Sequence, residues 1–595
     1  MTEIVNTLAG ESTSGKAVAA MDEILYSNER NAQIVVALLK AHGIRRVVVN
    51  PGTGNMTFVG SVQNDPWFKV FSCVDERHAG YMAVGMAAES GEPVVLSCTG
   101  ATASRNYLPA LTEAYYRKLP VLAITSTPDP DMVGNLFPQV IDRSRPPVDA
   151  VRASYTCRVV RDDREAQTCE RKVNAALLEL WRHGGGPVHL NLETGHDLAF
   201  GTRNLPPVRK MTRIEADDAQ RAPKLPEGAK IAIFAGAGRL EPAWEAFAAG
   251  HNVAVFSDEA GCYEGVNRVH ASLACSQIGF RLNPEFDHLT PDLVIDAGEV
   301  SGDYPVLGTL TKCPRVWRVS QDGEIRARFG NPEAVFEMSA ARFSAIYPSK
   351  RTEDVSPYAR MWMEADAGIR AQIPELPFSN AWMAQQLSPM LPPGSVLHLG
   401  ILNSLRSWNI FPAPKGVRTS SNVGGFGIDG CVSTLLGSSL ASPDKLHFGV
   451  VGDLAFFYDL NALGNRHRGK NLRLLLINNG CGAEFNLYFH PAARLGDRVN
   501  EYIAAGHHFG DRSRSLVQHY AEDLGFRYMS AGDKGEFMAA LPKFTAQQQS
   551  EGPLILECFT TAADESEAHR LINSIRYYEK PKSTSKRIKD WLHGK

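Results

Sequence analysis

Short runs of continuous apolar residues alternate along the chain with longer segments of helical periodicity. The apolar runs include RRVVVN, EPVVLSC, LPVLAIT, KIAIFAG, NVAVFS, LHFGVVG and LRLLLIN, and NAQIVVALLKAHG is one of the helical segments. A strand that is apolar at every position is buried on both faces, which is typical of a parallel sheet covered by helices. The pattern therefore predicts an α/β fold built from doubly wound parallel sheets.

This alternation recurs in three blocks, which we interpret as three α/β domains separated by linkers. A chain of 595 residues is too long for one hydrophobic core, so several domains are expected. The segments between the blocks contain several prolines and little apolar periodicity, as linkers do. In chain order we predict an irregular lead (1–27), the first domain (28–205), a linker (206–226), the central domain (227–350), a second linker (351–377), the third domain (378–560) and a basic C-terminal tail (561–595).

Composition and charge exclude several classes of protein. The hydrophobic fraction of 44% and the charged fraction of 21% are ordinary for a soluble globular protein, and a net charge of -3 gives no attraction to nucleic acid or anionic membrane. No apolar stretch approaches the roughly 20 residues that span a bilayer. The ten cysteines are scattered without a Cys-x-x-Cys pair, which predicts free thiols in a reducing cytoplasm.

Polar residues end two successive apolar runs in the third block. LHFGVVGD ends at Asp453, and LRLLLINN ends at Asn478-Asn479, which is the spacing of one βαβ unit. If the two strands are neighbours or next neighbours, Asp453 and Asn479 emerge side by side at the carboxyl edge, where α/β sheets bind ligands. Their oxygens, with a main-chain carbonyl, would leave room for waters and phosphate oxygens around Mg²⁺. An Asp helix cap beside an unrelated Asn turn is the structural alternative.

Gly-Asp followed by about two dozen residues and Asn-Asn resembles the signature of thiamin-diphosphate (ThDP) enzymes. The segment is most similar to the family of the menaquinone-pathway succinyl-enolpyruvyl-hydroxycyclohexene-carboxylate synthase, in which Leu also follows the Asp. The resemblance implies a three-domain ThDP fold with pyrimidine-binding, central and diphosphate-binding domains. It implies metal ligation by Asp453, Asn479 and the carbonyl of Cys481. The cofactor-binding positions that it implies are Pro51, Gly52, Asn403, Ser404, Gly427, Ile428, Gly452, Asp453, Leu454, Ala455, Asn479, Cys481 and Gly482.

Activation of ThDP requires a carboxyl group that hydrogen-bonds N1′ of its aminopyrimidine. The stretch VDERHAGYMAVGMAAESG resembles the family's Asp-Glu-Arg motif, and Glu76 carries over as that carboxylate. The alternative is that Asp75 caps the helix and Glu76 only favours its N-terminal dipole. By analogy with the superfamily, Glu76 of one subunit would meet Asp453 of another across the interface of a dimer or tetramer.

The resemblance fails at three arginines that the family uses for its carboxylate-rich substrates, 2-oxoglutarate and isochorismate. Gly54, Trp408 and Val423 stand at those positions. Each lost charge-assisted contact removes roughly 1.5–3 kcal/mol of binding free energy. We therefore expect an intact cofactor site beside a rebuilt, more apolar substrate pocket, for which the candidate residues are Asn55, Arg105, Asn135, Gln139, Arg406, Trp408 and Phe485.

These features predict a ThDP- and Mg²⁺-dependent enzyme that decarboxylates a pyruvate-like 2-oxo acid and transfers the acyl-anion equivalent to a carbonyl acceptor. The alternatives are a simple 2-oxo-acid decarboxylase, the family's own synthase reaction, and a ThDP-fold binding protein without activity. A dinucleotide enzyme built on Gly236-Ala237-Gly238 is disfavoured, because Glu241 stands where that fingerprint needs Gly or Ala. A tight turn is the favoured interpretation of those glycines.

Overall fold

The computed structural model describes residues 24–576 except 198, 238–239, 262, 278–283, 351, 353, 509–511 and 549–550. The predicted basic residues at the C-terminus, from 577 onward, and residues 1–23 of the predicted lead lie outside this range. The chain divides into two compact units, with the boundary between Arg213 and Ile214. Within the described ranges, no helix combines the length and apolar character needed to cross a bilayer.

The first unit contains the strands β1 (Tyr26–Ser27), β2 (Arg46–Val49), β3 (Lys69–Ser72), β4 (Val94–Cys98), β5 (Val121–Thr127), β6 (Ala153–Cys157), β7 (Val188–Glu193) and β8 (Phe200–Thr202). Six of them form a parallel sheet of order β3-β2-β4-β5-β7-β6. The short strands β1 and β8 form a separate antiparallel pair. The helices of this unit are α1 (Arg30–His42), α2 (Met56–Gln63), α3 (Glu76–Ser90), α4 (Ala101–Asn106), α5 (Leu108–Tyr116) and α6 (Asp163–Glu179).

Both faces of this sheet are buried, as the continuous apolar runs predict. In β5, Val121 and Ala123 pack into one core with α3 and α5, whereas Leu122 and Ile124 pack into another with α1 and α6. Successive side chains of a strand point to opposite faces, so an apolar strand supplies two cores at once. The helices on both faces make this a doubly wound sheet.

The second unit contains two sheets. The first has the order β12-β11-β10-β13-β14-β15-β9, and its described pairs are parallel. Its strands are β9 (Thr212–Glu215), β10 (Ile231–Phe234), β11 (Val253–Phe256), β12 (Arg268–Val269), β13 (Leu293–Asp296), β14 (Val316–Ser320) and β15 (Ala334–Glu337). The helices of this part are α7 (Ala243–Gly250), α8 (Ser272–Cys275), α9 (Tyr304–Leu310), α10 (Ala340–Ile346) and α11 (Pro357–Arg370).

The other sheet of this unit is six-stranded and parallel, in the order β17-β16-β18-β19-β21-β20. Its strands are β16 (Val396–Leu399), β17 (Arg418–Ser421), β18 (His447–Gly452), β19 (Leu472–Asn478), β20 (Arg527–Ala531) and β21 (Leu554–Phe559). Its helices are α12 (Asn380–Leu387), α13 (Asn403–Ile410), α14 (Cys431–Ala441), α15 (Asp453–Tyr458), α16 (Val499–Tyr502), α17 (Leu516–Asp523), α18 (Lys534–Phe544) and α19 (Ala562–Asn573).

A continuous apolar core joins the two sheets of the second unit. It includes Phe256 of β11, Trp362 of α11 and Phe448 of β18. The rings of Phe256 and Trp362 meet edge to face with centroids 5.2 Å apart, a geometry that aromatic pairs prefer. The segment predicted as the linker 351–377 therefore contains a packed helix.

Several elements differ from their predicted bounds. The helix that the βαβ spacing predicts between Asp453 and Asn479 is the short α15, followed by a 3₁₀ turn at Leu460–Gly464. The predicted tail from residue 561 begins with α19, in which Ala568 and Ile572 are fully buried. At Gly236, in the segment predicted as a tight turn, the backbone has φ 56°, and a Cβ there would lie 2.1 Å from Glu299 O. Gly238 of the same segment lies outside the described residues. The remaining domain boundaries stay predictions.

Candidate active site

Asp453 and Asn479 lie at the carboxyl ends of two strands that pair directly. Gly452 of β18 is in register with Ile477 of β19, so Asp453 and Asn478 occupy the next opposed positions. Neighbouring strands are about 4.8 Å apart, and Asn479 follows one residue later. Of the two arrangements that the sequence left open, neighbours or next neighbours, the strands are therefore neighbours. The sheet brings a carboxylate and an amide to one edge although 26 residues separate them in sequence.

The two asparagines after β19 have different environments. The Asn478 side chain is buried and donates from Nδ2 to Glu557 Oε1 at 2.6 Å, and Tyr528 Oη donates to Glu557 Oε2 at 2.8 Å. Burial raises the pKa of Glu557. Asn479 is only partly buried, and the chain turns at Gly480 with φ 76°. Asn478 therefore anchors the strand end, and Asn479 is the member of the pair that remains as a ligand candidate.

The oxygen donors at this edge fit a hard cation with an incomplete protein shell. Asp453 is 2% exposed at the first position of α15, and the carbonyl of Cys481 accepts a hydrogen bond from Ala483 N at 3.0 Å. A carbonyl oxygen has two lone pairs, so a hydrogen bond does not by itself prevent it from binding a cation. In the described part of the chain no cluster of three or more His, Cys, Asp or Glu side chains could hold a metal ion. One carboxylate with neutral oxygens suits Mg²⁺, which keeps waters and phosphate oxygens as ligands.

The predicted cofactor residues at the start of α13 are held by buried polar groups. Asn403 Nδ2 donates to Glu565 Oε2 at 3.2 Å, its Oδ1 is 3.0 Å from His569 Nε2, and Ser404 Oγ accepts from Asn380 Nδ2 at 3.2 Å. Burial raises the pKa of Glu565 to about 7 and lowers that of His569 to about 3. Leu402, just before the helix, has φ 65°, a conformation that costs a β-carbon-bearing residue roughly 1–2 kcal/mol.

A second predicted cofactor segment follows β17. Ile428 is partly buried and packs against the core formed by α14, α15 and β18. Gly427 is tightly placed, because a Cβ there would lie 2.3 Å from Asp429 Oδ1. The backbone at Phe426 has φ 57°. The segment is thus fixed in an unusual conformation beside the Asp453 helix.

Glu76 occupies the first position of α3, and Asp75 caps that helix by accepting from His78 N at 2.8 Å. Asp75 therefore caps the helix, as the alternative interpretation expected. The capping hydrogen bond does not involve the Glu76 carboxylate. The Glu76 side chain is partly buried, and Asn106 Nδ2 lies 3.5 Å from its Oε2. Burial, with a smaller contribution from the negative charge of Glu76, raises the pKa of Tyr107.

The loop after β2 is packed against Thr99 through glycines. Pro51 and Gly52 are exposed, and a Cβ at Gly52 would lie 2.8 Å from Thr99 Cβ. At Gly54, where the resembling family has arginine, a Cβ would lie 2.4 Å from Thr99 Oγ1. Real Cβ atoms do not approach other atoms so closely, so this loop has no room for a side chain at Gly54 unless Thr99 moves.

The first unit contains a cavity of about 470 Å³, and one of the four substrate candidates of this unit lines it. Gln139 lines it with a left-handed backbone, φ 65°. Asn135 is exposed and donates to Asp131 O at 2.9 Å, and Arg105 Nη2 donates to Asp142 O at 2.9 Å. Asn55 is 1% exposed and donates to Asn50 O at 3.0 Å. Asn55 therefore supports the loop, and Gln139 is the candidate that faces the cavity.

The substrate candidates of the second unit make contacts that the sequence analysis did not predict. Both terminal nitrogens of Arg406 bind Glu484, at 2.5 and 2.9 Å, and the guanidinium lies over the Phe489 ring. Phe485 is partly buried and meets His490 edge to face at 5.3 Å. Trp408 is fully buried in the main core of this unit. Its assignment as a substrate residue is corrected, because a side chain closed off by packing is not accessible to a ligand.

Three acidic residues of the site were not found from the sequence. Glu484 neutralises Arg406, Glu557 holds Asn478, and Glu565 holds Asn403. The available signal was an acidic residue inside an apolar strand, Glu557 in LILECF. A buried carboxylate needs a hydrogen-bond or ion-pair partner, but the sequence does not indicate which residue provides it.

Comparison with known proteins agrees with this arrangement. The family "Thiamine pyrophosphate enzyme, N-terminal TPP binding domain" matches residues 30–145, which include Glu76 and the loop after β2. Together with the parallel α/β sheets and the polar residues at the carboxyl edges of those sheets, this match defines the protein as a thiamin-diphosphate-dependent enzyme.

Relatives of similar length identify the family. The 2-succinyl-5-enolpyruvyl-6-hydroxy-3-cyclohexene-1-carboxylate synthase of Bacteroides fragilis is 31% identical over 555 residues, which cover 90% of this chain and 97% of the relative. The synthases of Bacteroides thetaiotaomicron and Phocaeicola vulgatus are 30% and 29% identical, with 97% and 96% of their lengths covered. The chain belongs to the family of these synthases.

Proposed function

We propose that this enzyme uses ThDP and Mg²⁺ to decarboxylate a small 2-oxo acid, with pyruvate as the first candidate, and to transfer the resulting acyl-anion equivalent to a carbonyl acceptor. The observation that carries the proposal is the combination of two paired strands that end at Asp453 and Asn479 with a glycine at position 54, where the family has arginine and where a Cβ would meet Thr99 Oγ1 at 2.4 Å. The cofactor chemistry is retained, while recognition of a second substrate carboxylate is weakened.

Residues of the second unit would hold the metal and the diphosphate. Asp453, Asn479 and the carbonyl of Cys481 would bind Mg²⁺, and the main chain around Gly452, Leu454, Ala455 and Gly482 would approach the diphosphate. Glycine permits close approach of backbone N–H groups to phosphate oxygens. The fit is supported by the burial of Asp453 at the start of α15.

When bound, ThDP supplies a nucleophilic carbon that adds to the 2-oxo group and stabilises the electrons released on loss of carbon dioxide. Glu76 would hold a proton against N1′ of the aminopyrimidine, and Asp75 would fix the helix that carries Glu76. Ile428 would support the bent form of the cofactor through its packing against the core near α15. Asn403 and Ser404 would be positioned by Glu565 and Asn380.

The proposed substrate preference follows from positive charges that are absent from this chain or are already paired with an acid. Gly54 and Val423 carry no charge, and Trp408 is a core residue. Arg406 is bound by Glu484, so its charge is compensated before any substrate arrives. A dicarboxylate such as 2-oxoglutarate would lose roughly 1.5–3 kcal/mol for each absent charge-assisted contact, and a monocarboxylate loses less.

We further propose self-association into a dimer or tetramer with the active site at the subunit interface. Large apolar side chains are exposed on the helices that carry the candidate groups: Tyr81 of α3 is 48% exposed and Tyr458 of α15 is 68% exposed. Such residues are commonly covered by a partner. We place the enzyme in the cytoplasm, because nine of the described cysteines are free and reduced thiols persist there.

The test is a screen of 2-oxo acids with ThDP and Mg²⁺, in which release of carbon dioxide and consumption of an added aldehyde are both followed. Carboligation predicts that aldehyde is consumed along with the 2-oxo acid, whereas a simple decarboxylase would release free aldehyde. The synthase reaction is the second candidate, favoured by the identity with full-length relatives. Efficient turnover of 2-oxoglutarate with isochorismate would replace the first proposal with it. Absence of turnover with every donor would favour the binding-protein alternative.

A further inference from the structure

Arg143 is a buried arginine next to the large cavity of the first unit. Its side chain is 5% exposed, and Nη2 donates to the main-chain oxygen of Ser126, near the end of β5, at 2.6 Å. Position 143 was not among the residues predicted to bind substrate. It follows the irregular segment that contains Gln139.

The remaining nitrogens of this guanidinium have no protein partner. Among the residues that the structure describes, Nε and Nη1 of Arg143 are buried without a hydrogen bond. Burial lowers the pKa of Arg143 to about 10, so the group is still a cation at neutral pH. Unpaired buried charges are rare because desolvation is costly. The observation therefore indicates that an anion or water completes this site.

The surroundings of Arg143 supply positive charge and no described ion-pair partner. Arg105 is close enough for its charge to lower the pKa of Arg143 further, and Arg105 itself donates to a main-chain oxygen, that of Asp142. His189 is neutral, because burial, and to a smaller extent the two arginines, lower its pKa to about 3. Its ring nitrogens lie 2.7 Å from Thr125 Oγ1 and 2.8 Å from Ser154 Oγ. The local field thus favours an anion.

Arg143 lines one cavity of the first unit, and Gly100, which is next to Arg143, lines another. The cavity that Arg143 lines is small, about 30 Å³, and Arg105, Thr125 and His189 also line it. A cavity of this size holds a group of a few atoms, such as a carboxylate or two waters. The large cavity of about 470 Å³ is lined by Gly100, where a Cβ would lie 3.2 Å from Ser126 O, 3.5 Å from Gln139 O and 3.6 Å from Arg143 Nη1.

We propose that Arg143 binds the carboxylate of the 2-oxo acid donor, with Nε and Nη1 as the charge-assisted donors and the small cavity as the place of the carboxylate. This inference rests on the proposed function, since it names the group that recognises the donor acid. It assigns carboxylate recognition to a position other than Gly54, which has no side chain to bind a carboxylate. A guanidinium suits this task because it stays charged and presents several N–H groups to one carboxylate.

The first experiment measures binding without turnover. Thermal unfolding of the full-length protein, free of cofactor, is followed while pyruvate or its neutral amide is added. A ligand that binds only the folded protein raises Tm with concentration. We expect pyruvate to raise the Tm of the wild type and of Arg145→Gln, a nearby exposed control, but not of Arg143→Gln. Equal responses of wild type and Arg143→Gln, an equal effect of the amide, or no response of the wild type would overturn the inference.

The second experiment uses the holoenzyme. Arg143→Gln should raise KM for pyruvate ~10-fold or more, with a smaller change in kcat, and Arg143→Lys should restore part of the loss. An unchanged KM in Arg143→Gln, with normal turnover, would overturn the inference and leave the proposed function standing. Conversely, a Tm response that depends on Arg143 in a protein without turnover would remove the proposed function and leave the carboxylate site. If Arg143→Gln does not fold, the comparison rests on Arg143→Lys, for which an unchanged KM and an unchanged Tm response would overturn the inference.

Discussion

Arg406 and Glu484 form a two-pronged ion pair, with both carboxylate oxygens bound to the terminal nitrogens of the guanidinium. Both side chains are largely buried, so the pair is weakly screened by solvent. The pair removes from the candidate substrate region a positive charge that the sequence alone suggested was available. The protein sets the charge of this region by placing an acid beside the arginine.

Removal of that acid should alter substrate preference. In Glu484→Gln, Arg406 loses its counter-charge, so a second substrate carboxylate gains a partner. We expect the ratio of kcat/KM for 2-oxoglutarate to that for pyruvate to rise by ~10-fold. Steady-state kinetics with both acids test this. Glu501→Gln, an exposed acid, is the control, and an unchanged ratio in Glu484→Gln would show that Arg406 does not face the donor.

Asp453→Asn should weaken metal-dependent cofactor binding. The substitution keeps the size of the side chain and removes the single carboxylate of the proposed magnesium set, and Mg²⁺ affinity depends strongly on ligand charge. We expect the Mg²⁺ concentration for half-maximal ThDP binding to rise at least ~10-fold, measured by calorimetric titration. Asp444→Asn, exposed before β18, should behave as wild type. Normal Mg²⁺ dependence in Asp453→Asn would place the metal elsewhere.

Glu76→Gln should separate cofactor binding from catalysis. Glutamine keeps the volume of the side chain but loses the carboxyl that holds a proton at N1′, so turnover should fall ~10²-fold or more while ThDP is still bound. In contrast, Asp75→Ala removes the helix cap seen at His78 N and should lower the free energy of unfolding by ~1 kcal/mol. Titration of ThDP and chemical denaturation distinguish the two effects. Full activity in Glu76→Gln would contradict the assigned role.

Reinstating arginine at position 54 should destabilise the first unit. A Cβ at Gly54 would lie 2.4 Å from Thr99 Oγ1, and such overpacking costs ~1–3 kcal/mol. Gly54→Arg should therefore unfold at lower denaturant concentration, and the double variant Gly54→Arg with Thr99→Gly should recover part of the loss. Gly368→Ala, where a Cβ meets nothing within 4 Å, is the helix control and should not destabilise. A wild-type midpoint for Gly54→Arg would show that the loop adapts.

Stability should depend on the protonation of Glu565. Burial raises its folded-state pKa to about 7 from the ordinary glutamate value of 4.5, so the unfolded chain releases this proton at lower pH than the folded chain. The contribution of Glu565 is therefore complete below about pH 4.5 and is lost as pH rises to about 7. The unfolding free energies of the wild type and of Glu565→Gln are measured between pH 4.5 and 8, and their difference isolates the pH dependence that is due to Glu565. Parallel pH profiles of the two proteins would contradict this prediction.

The strands that carry the site were predictable because their sequences are locally consistent. Continuous apolar runs such as LRLLLIN have to be buried on both faces, and the βαβ spacing from Asp453 to Asn479 favours strands that are neighbours or next neighbours. The short strands β12 and β17 were not predicted, because two to four residues of mixed polarity carry little periodicity. Their pairing is supplied by the rest of the sheet.

By itself, the sequence determined the three parallel α/β sheets and the polar residues that end β18 and β19, since apolar pattern and spacing along the chain specify both. Tertiary structure decided which charges remain available: Arg406 is paired with Glu484, Trp408 belongs to the core, and Thr99 fills the space beside Gly54. These outcomes depend on contacts between residues distant in sequence. Electrostatic and packing free energies depend on distance in space, which a linear pattern does not encode.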